Sequence, residues 1–137
     1  MTHPLLSALA LYDLALARAE TLAPGVLAFG ETPPDASSRE VPYLIVDPDA
    51  GFDEVARADG LVSARRGRFD VRCCGSSRRQ ALFALDAARG AFADWRPYPL
   101  DRRFGAVRET DAGPLIEDKS VPTDPRFSFT LTFDLDD

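Results

Sequence analysis

Residues 65–95 read RRGRFDVRCCGSSRRQALFALDAARGAFADW, and this stretch decides the fold. Its first part carries apolar side chains two residues apart, at Phe69, Val71 and Cys73, which is the spacing of a β-strand with one buried face. The intervening side chains point the other way, towards solvent or a contact surface; they are Arg68, Asp70 and Arg72. Gly75 is expected to break the strand.

The second part of the same stretch predicts a helix. Ser77 can cap its N-terminus, and Gln80 three residues later completes a capping-box pattern. Apolar residues then recur every three or four positions, at Ala81, Leu85, Ala88, Phe92 and Trp95. This single stripe is typical of a helix that packs on a sheet, and the charged residues on its other side suit solvent.

The N-terminal residues predict a second helix, over 4–22. Its apolar stripe consists of Leu5, Leu9, Tyr12 and Leu16. Other apolar residues lie around the rest of the helix, which leaves two interpretations open. Either the helix is half sunk in the core of its own chain, or its second face packs on a neighbouring subunit.

Short strands and long loops follow that helix. Residues 26–29 predict a strand, and the nearly continuous apolar run at 41–46 predicts another that is buried on both faces. Residues 31–40 have the composition of an exposed loop. Residues 49–64 show no sustained period and are expected to form a long loop, with a helical turn within 53–58.

The C-terminal third of the chain predicts further strands. A strand is expected at 104–109, a turn at 110–113 and a short edge strand at 114–118. The last strand has the clearest pattern, because Phe and Leu at 127, 129, 131, 133 and 135 alternate with polar residues. The sequence therefore predicts one α+β domain over residues 1–137, with a mixed, mainly antiparallel sheet and both helices packed on one face.

Composition excludes several classes of function. A net charge of −6 argues against nucleic acid as the main ligand. Cys73 and Cys74 are adjacent and point to opposite faces of a strand, so neither a disulfide between them nor a zinc site is expected. The single histidine, His3, cannot supply a Ser-His-Asp set. No apolar run approaches the ~20 residues that span a bilayer, which predicts a soluble protein with no membrane partner.

Three segments then carry a resemblance. The N-terminal helix leads to PYLIV (42–46), FDVRCCG (69–75) runs directly into the helix SSRRQALFALDAARGAF (76–92), and Asp124-Pro125 precedes the long final strand of alternating Phe and Thr. This order resembles the tail terminator proteins of long-tailed bacteriophages and tail-like particles. Tail completion proteins and other neck or head-closure proteins of similar size are the alternatives.

The resemblance implies a structural role without catalysis, cofactor or metal. Proteins of this group form a hexameric ring that closes the head-proximal end of the tail tube. The implied partners are other copies of the chain, the tail tube protein and a neck protein, with DNA only passing through the lumen. The implied location is the tail or neck of a virion or tail-like particle, after synthesis in the cytoplasm of a bacterial host.

The candidate subunit-interface residues lie on two strands. They are Arg65, Arg66, Arg68, Arg72, Thr130 and Thr132. The arginines form a basic run on or near the exposed side of the central strand, and the threonines form the polar side of the last strand. A solvated face is the simpler interpretation of the arginines, and pairing with acidic loops of an adjacent subunit is the alternative.

A more distant alternative is a cysteine-dependent phosphatase. Cys73, five residues and Arg79 stand between a strand and a helix, where backbone N–H groups could bind phosphate. Asp94 or Asp101 would then have to act as the general acid. The next residue, Gln80, stands where such enzymes place Ser or Thr, and the loop contains only one glycine.

Overall fold

The computed structural model describes residues 7–23, 25–31, 42–49, 52–54, 64–101, 104–120 and 125–135, with the backbone alone at 52–54 and 64–66. Within these ranges the chain forms two helices and eight strands. In chain order they are α1 (Ala8–Leu22), β1 (Leu27–Phe29), β2 (Tyr43–Pro48), β3 (Phe52–Glu54), β4 (Ala64–Arg66), β5 (Arg68–Gly75), α2 (Arg78–Phe92), β6 (Val107–Ala112), β7 (Ile116–Asp118) and β8 (Arg126–Leu135).

Six of these strands form one mixed sheet. Its order is β1-β2-β5-β8-β6, and β7 also pairs with β8. The β1–β2 pair is parallel, whereas every other pair in the sheet is antiparallel. Both helices contribute to one core on a single face of the sheet. The predicted α+β class, with a mainly antiparallel sheet, is therefore confirmed.

Strand β5 lies at the centre of this sheet, and its predicted apolar residues face the helices. Phe69, Val71 and Cys73 are fully buried there. The ring of Phe69 lies 5.1 Å from that of Phe92 in α2 and 5.3 Å from that of Phe133 in β8, measured between centroids. These contacts join the centre of the sheet to the last strand and to α2, as the alternation in both strands predicted.

The turn from β5 into α2 is tighter than the sequence suggested. Ser77 caps the helix as predicted, accepting a hydrogen bond from Gln80 N at 3.1 Å. The Gln80 side chain accepts hydrogen bonds from the N–H and hydroxyl of Ser76, both at 2.9 Å, so the reciprocal bond lies one residue before the cap. The strand ends at Gly75 as predicted, and Gly75 itself is the last residue to pair, with Phe127 of β8. A side chain at Gly75 would overlap Gln80, so strand and helix approach each other too closely for a Cβ.

The buried side of α1 differs from the predicted stripe. Leu11, Ala15 and Ala19 are the buried residues, whereas Leu9 is 69% exposed. Tyr12 and Leu16 pack at the edge of the core as expected, and Leu5 lies outside the described residues. Two alanines on the buried side allow α1 to approach the sheet closely, a packing effect that side-chain hydrophobicity does not indicate.

Two segments of the chain correct the predicted loops. Residues 52–54 pair with 64–66 as a separate two-stranded antiparallel sheet. The prediction of a long loop over 49–64 is therefore wrong at its two ends, and the helical turn predicted to start at residue 53 is wrong there as well. The strand predicted at 104–109 begins and ends three residues later, because β6 covers 107–112. It therefore includes most of the segment 110–113, which was predicted to be a turn. A register shift between Glu109 and Asp111 lets β6 keep pairing with β8 through Ala112. The predicted loop at 31–40 lies outside the described residues, except for Glu31.

Candidate subunit interface

The face of the sheet opposite the helices is built by strand alternation. Its polar residues lie on β2, β5 and β8, because successive side chains of a strand point to opposite faces. We call this surface the helix-free face; its polar members on these three strands are Asp47, Arg68, Asp70, Arg72, Arg126, Ser128, Thr130, Thr132 and Asp134. Four of the predicted interface residues, Arg68, Arg72, Thr130 and Thr132, therefore lie together on one surface.

Arg72 on β5 makes a two-bond ion pair with Asp47 on β2. Its Nε donates to Asp47 Oδ2 at 2.6 Å and its Nη2 to Asp47 Oδ1 at 3.1 Å. The hydrogen bond with Asp47 is the main reason why the pKa of Arg72 is raised. The Arg72 side chain as a whole is still 40% exposed. The pair therefore fixes the direction of a charge that solvent, or another molecule, can reach.

Arg68 makes a second ion pair of the same form, across the other side of β5. Its Nε lies 2.7 Å from Asp134 Oδ1, and its Nη2 lies 3.1 Å from Asp134 Oδ2. The two residues are direct cross-strand partners in the β5–β8 register. The hydrogen bond with Asp134 is the largest cause of the raised pKa of Arg68. Together the two arginines link β5 to both of its neighbours.

The threonines lie between these ion pairs. Thr132 donates its hydroxyl to Asp70 Oδ1 at 2.8 Å, directly across the strand pair. Thr130 lies opposite Arg72 in the same register. The carboxylates of Asp47, Asp70 and Asp134 were not among the predicted interface residues. Their positions in the alternating pattern were visible in the sequence, but their partners depend on the strand register.

Arg65 and Arg66 lie on a different strand. They belong to β4, which pairs with β3 in the two-stranded sheet and not with the central sheet. Gly67 divides β4 from β5, and its carbonyl accepts a hydrogen bond from Leu135 N at 2.9 Å. The basic run is therefore divided at Gly67 between two strands, and the interface role of Arg65 and Arg66 stays a prediction. Their side chains are outside what the structure describes.

One end of the helix-free face carries an apolar cluster. Tyr43, Ile45 and Cys74 are buried there, and Phe29 packs against them. The ring of Tyr43 meets that of Phe29 edge to face at 6.2 Å. The burial of β2 on both faces, expected from its continuous apolar run, is confirmed.

The Cys73 motif does not form a phosphate-binding loop. Cys73 is fully buried in the core between sheet and helices, and its Sγ lies 3.7 Å from Val71 O. Burial raises the pKa of its thiol far above the usual range, which opposes the thiolate that such catalysis needs. Arg79 lies exposed on the first turn of α2. The geometry therefore gives the phosphatase alternative no support.

Two further findings concern the described residues as a whole. In those ranges, no group of three or more His, Cys, Asp or Glu side chains is arranged to hold a metal ion. Neither helix there has the length and apolar character that crossing a bilayer requires.

Comparisons with known proteins include a similar solved structure. No protein-family model matches the sequence, and no curated protein matches it. Among solved structures, a chain of the virion of a native gene transfer agent (GTA) particle is similar, with 18% identity and a TM-score of 0.48. The similarity covers 93% of this chain and 91% of that chain. At this identity and TM-score it carries no argument about what the present chain does.

Proposed function

We propose that this chain is a structural protein of a bacteriophage tail or tail-like particle. Six copies of it would form a ring that terminates the tail tube and joins the tube to the neck. The observation that carries the proposal is the helix-free face. Both helices lie on the other side of the sheet, and this face presents charges that are oriented by the chain itself. Oriented charges of this kind support a contact role.

A ring requires a surface that can hold neighbours in one register. Arg72 has five N–H donors, and Asp47 engages two of them. Because the guanidinium is planar and held by two bonds, its remaining donors point in fixed directions. Charges arranged in this way favour one relative orientation of two molecules and oppose others. The same argument applies to a tube or neck protein that meets this face.

The acidic balance of the chain fits a conduit for DNA. A net charge of −6 gives little general attraction for phosphate groups, so DNA would pass the ring without being held. Titration of fluorescent duplex DNA with the assembled ring, at low and moderate salt, tests this part of the proposal. A tight and strongly salt-dependent affinity would contradict it.

Assembly is tested by light scattering over a concentration series, with negative-stain images of the heaviest species. Sixfold rings are expected, either from the chain alone or after addition of preformed tail tubes. Rings that bind tubes at one end support the terminator role, whereas rings that ignore tubes but bind a head portal complex indicate a neck or head-closure role. A chain that forms no ring under either condition would overturn the proposal.

One pair of variants asks which surface is involved. Thr130→Arg places a long charged side chain on the helix-free face, where Thr130 is partly exposed and opposite Arg72. Ala17→Arg places the same side chain on the exposed part of α1 and serves as the matched control. We expect Thr130→Arg to prevent ring or tube association while both variants keep the circular dichroism spectrum of the wild type. Loss of assembly in Ala17→Arg alone would place the contact on α1.

A further inference from the structure

The two ion pairs of the helix-free face expose their positive ends more than their negative ends. The Arg68 side chain is 36% exposed and that of Asp134 is 16% exposed, and for Arg72 and Asp47 the values are 40% and 32%. Asp70, between the two arginines, already accepts a hydrogen bond from β8. A molecule that approaches either pair therefore meets the cation more than the anion, so a partner that carries carboxylates fits this surface.

The exposed side of α1 carries such carboxylates. Asp13 and Glu20 are both exposed, and a separation of seven residues brings them to the same side of the helix. Neither makes a hydrogen bond or an ion pair with another described residue of the chain. Arg18, the one basic residue of Ala8–Leu22, turns to α2 and donates to Ala91 O at 2.8 Å. The outer side of α1 therefore presents negative charge without a cation beside it.

The two sets of charges also have similar spacing. Arg68 and Arg72 are four residues apart on β5, or about 13 Å along the strand. Asp13 and Glu20 are about 10 Å apart along the helix axis, and the long arginine and glutamate side chains can cover the difference. Ala17, which is exposed between the two carboxylates, is small enough to let the helix approach the sheet closely.

Apolar residues favour one direction of the helix across the strand. Leu9 lies one turn before Asp13 and is 69% exposed. The apolar cluster of the helix-free face lies beyond Arg72, because its member Cys74 follows two residues later on the same side of β5. Leu9 therefore lies near this cluster if Asp13 faces Arg72, and far from it if Asp13 faces Arg68.

We propose that the exposed side of α1 in one copy packs on the helix-free face of the next copy, with Asp13 at Arg72 and Glu20 at Arg68. The proposal rests on the proposed function, because it names the contact by which copies of the chain would join. One chain cannot make this contact with itself, since α1 lies on the opposite side of the sheet. The two surfaces differ, so the contact is head-to-tail, and such contacts close into rings or grow as filaments.

Mixing two variants tests the contact directly. Thr130→Arg blocks the helix-free face and leaves α1 intact. Ala17→Arg, the control when the helix-free face is considered alone, blocks α1 here, because Ala17 lies between the two carboxylates. At concentrations where the wild type associates, each variant alone should remain a monomer in light scattering. Their equimolar mixture should form a dimer that grows no further, because only one intact surface of each variant is used.

A second pair of variants measures the contribution of the charges. Asp13→Asn with Glu20→Gln keeps the shape of α1 and removes both carboxylates, and it should weaken self-association by roughly tenfold. Asp86→Asn, at an exposed aspartate of α2, is the matched control and should leave association unchanged. A mixture of Thr130→Arg and Ala17→Arg that stays monomeric, or Ala17→Arg that associates like the wild type, would overturn the proposal.

The outcomes separate this proposal from the proposed function. Rings that form with Ala17→Arg but not with Thr130→Arg would refute the α1 contact and leave the ring function standing. A dimer in the mixture, together with a wild type that forms only open chains even with tail tubes present, would support the contact and refute the ring. A wild-type chain that stays monomeric with and without tubes would refute both.

Discussion

Replacing Gly75 with alanine is expected to destabilise the protein by about 2–3 kcal/mol, although it adds only one methyl group. The new Cβ would overlap the Cβ of Gln80 and lie 2.8 Å from the backbone nitrogen of Ala81. Backbone atoms of a helix cannot rotate away as the end of a side chain can, so β5 and the first turn of α2 would have to separate. Overpacking of this kind costs about 1–3 kcal/mol, and the capping bond of Ser77 that would be disturbed contributes about 1 kcal/mol.

Gly90 provides a matched control for the same chemical change. It lies in α2, and no atom lies within 4 Å of the position that its Cβ would occupy. Replacing a glycine inside a helix with alanine removes a conformational penalty of about 0.5–1 kcal/mol. Gly90→Ala should therefore stabilise the protein, whereas Gly75→Ala should destabilise it.

Thermal unfolding followed by circular dichroism measures both effects. It should be recorded at a concentration where light scattering gives the mass of a monomer, because association would add its own stabilisation. At about 3 °C per kcal/mol for a domain of this size, Gly75→Ala should lower Tm by about 6–9 °C and Gly90→Ala should raise it by about 1.5–3 °C. The reasoning is refuted if Gly75→Ala unfolds within about 1 °C of the wild type, or if both variants shift in the same direction.

Two further predictions concern the contact between the helices and the buried thiols. Arg18→Ala removes the hydrogen bond from Arg18 Nε to Ala91 O, 2.8 Å long, and should lower the free energy of unfolding by about 1 kcal/mol in urea titrations; an unchanged urea midpoint would contradict this. Burial raises the pKa of the Cys74 thiol from 9.0 to about 11, so the folded state keeps a proton that the unfolded state releases above about pH 9. The free energy of unfolding should therefore fall as pH rises from about 9 to 11, with this thiol contributing up to about 1.4 kcal/mol per pH unit. The Cys74→Ala variant should show a shallower fall over the same pH range. Equal pH dependence in the variant and the wild type would refute the role given to Cys74.

The elements with one clear period were predictable from the sequence. In β5 and β8, alternation identified the buried side before any partner strand was known, and the Ser77 cap located the start of α2 to the residue. In these segments the secondary structure that the residues favour locally is also the one that buries their apolar side chains. The sequence pattern alone is therefore enough to predict the element and its buried side. The α+β class followed from the order of such segments.

The remaining features depend on pairing between distant segments. Arg72 meets Asp47, 25 residues away, only because β2 and β5 pair in one register, and a slip by one residue would turn Asp47 to the other face. The strands at 52–54 and 64–66 are three residues each and have no pattern of their own. The buried side of α1 was predicted wrongly for a different reason. Several sides of this helix are apolar, so hydrophobicity alone does not identify the buried one. The side that is buried contains Ala15, whose small side chain allows the helix backbone to approach the sheet closely.

The oriented ion pairs bear on the surface of the protein more than on its stability. Arg72–Asp47 and Arg68–Asp134 are partly exposed, and such pairs contribute at most about 1 kcal/mol each to folding. Their geometry is nevertheless demanding, since a planar guanidinium bound by two parallel hydrogen bonds has one orientation, which a lysine could not reproduce. In a contact between proteins, charges held in this way affect register and choice of partner more than affinity. In the proposed ring, whose closure requires one relative orientation of neighbouring subunits, these pairs would therefore matter more to assembly than to folding.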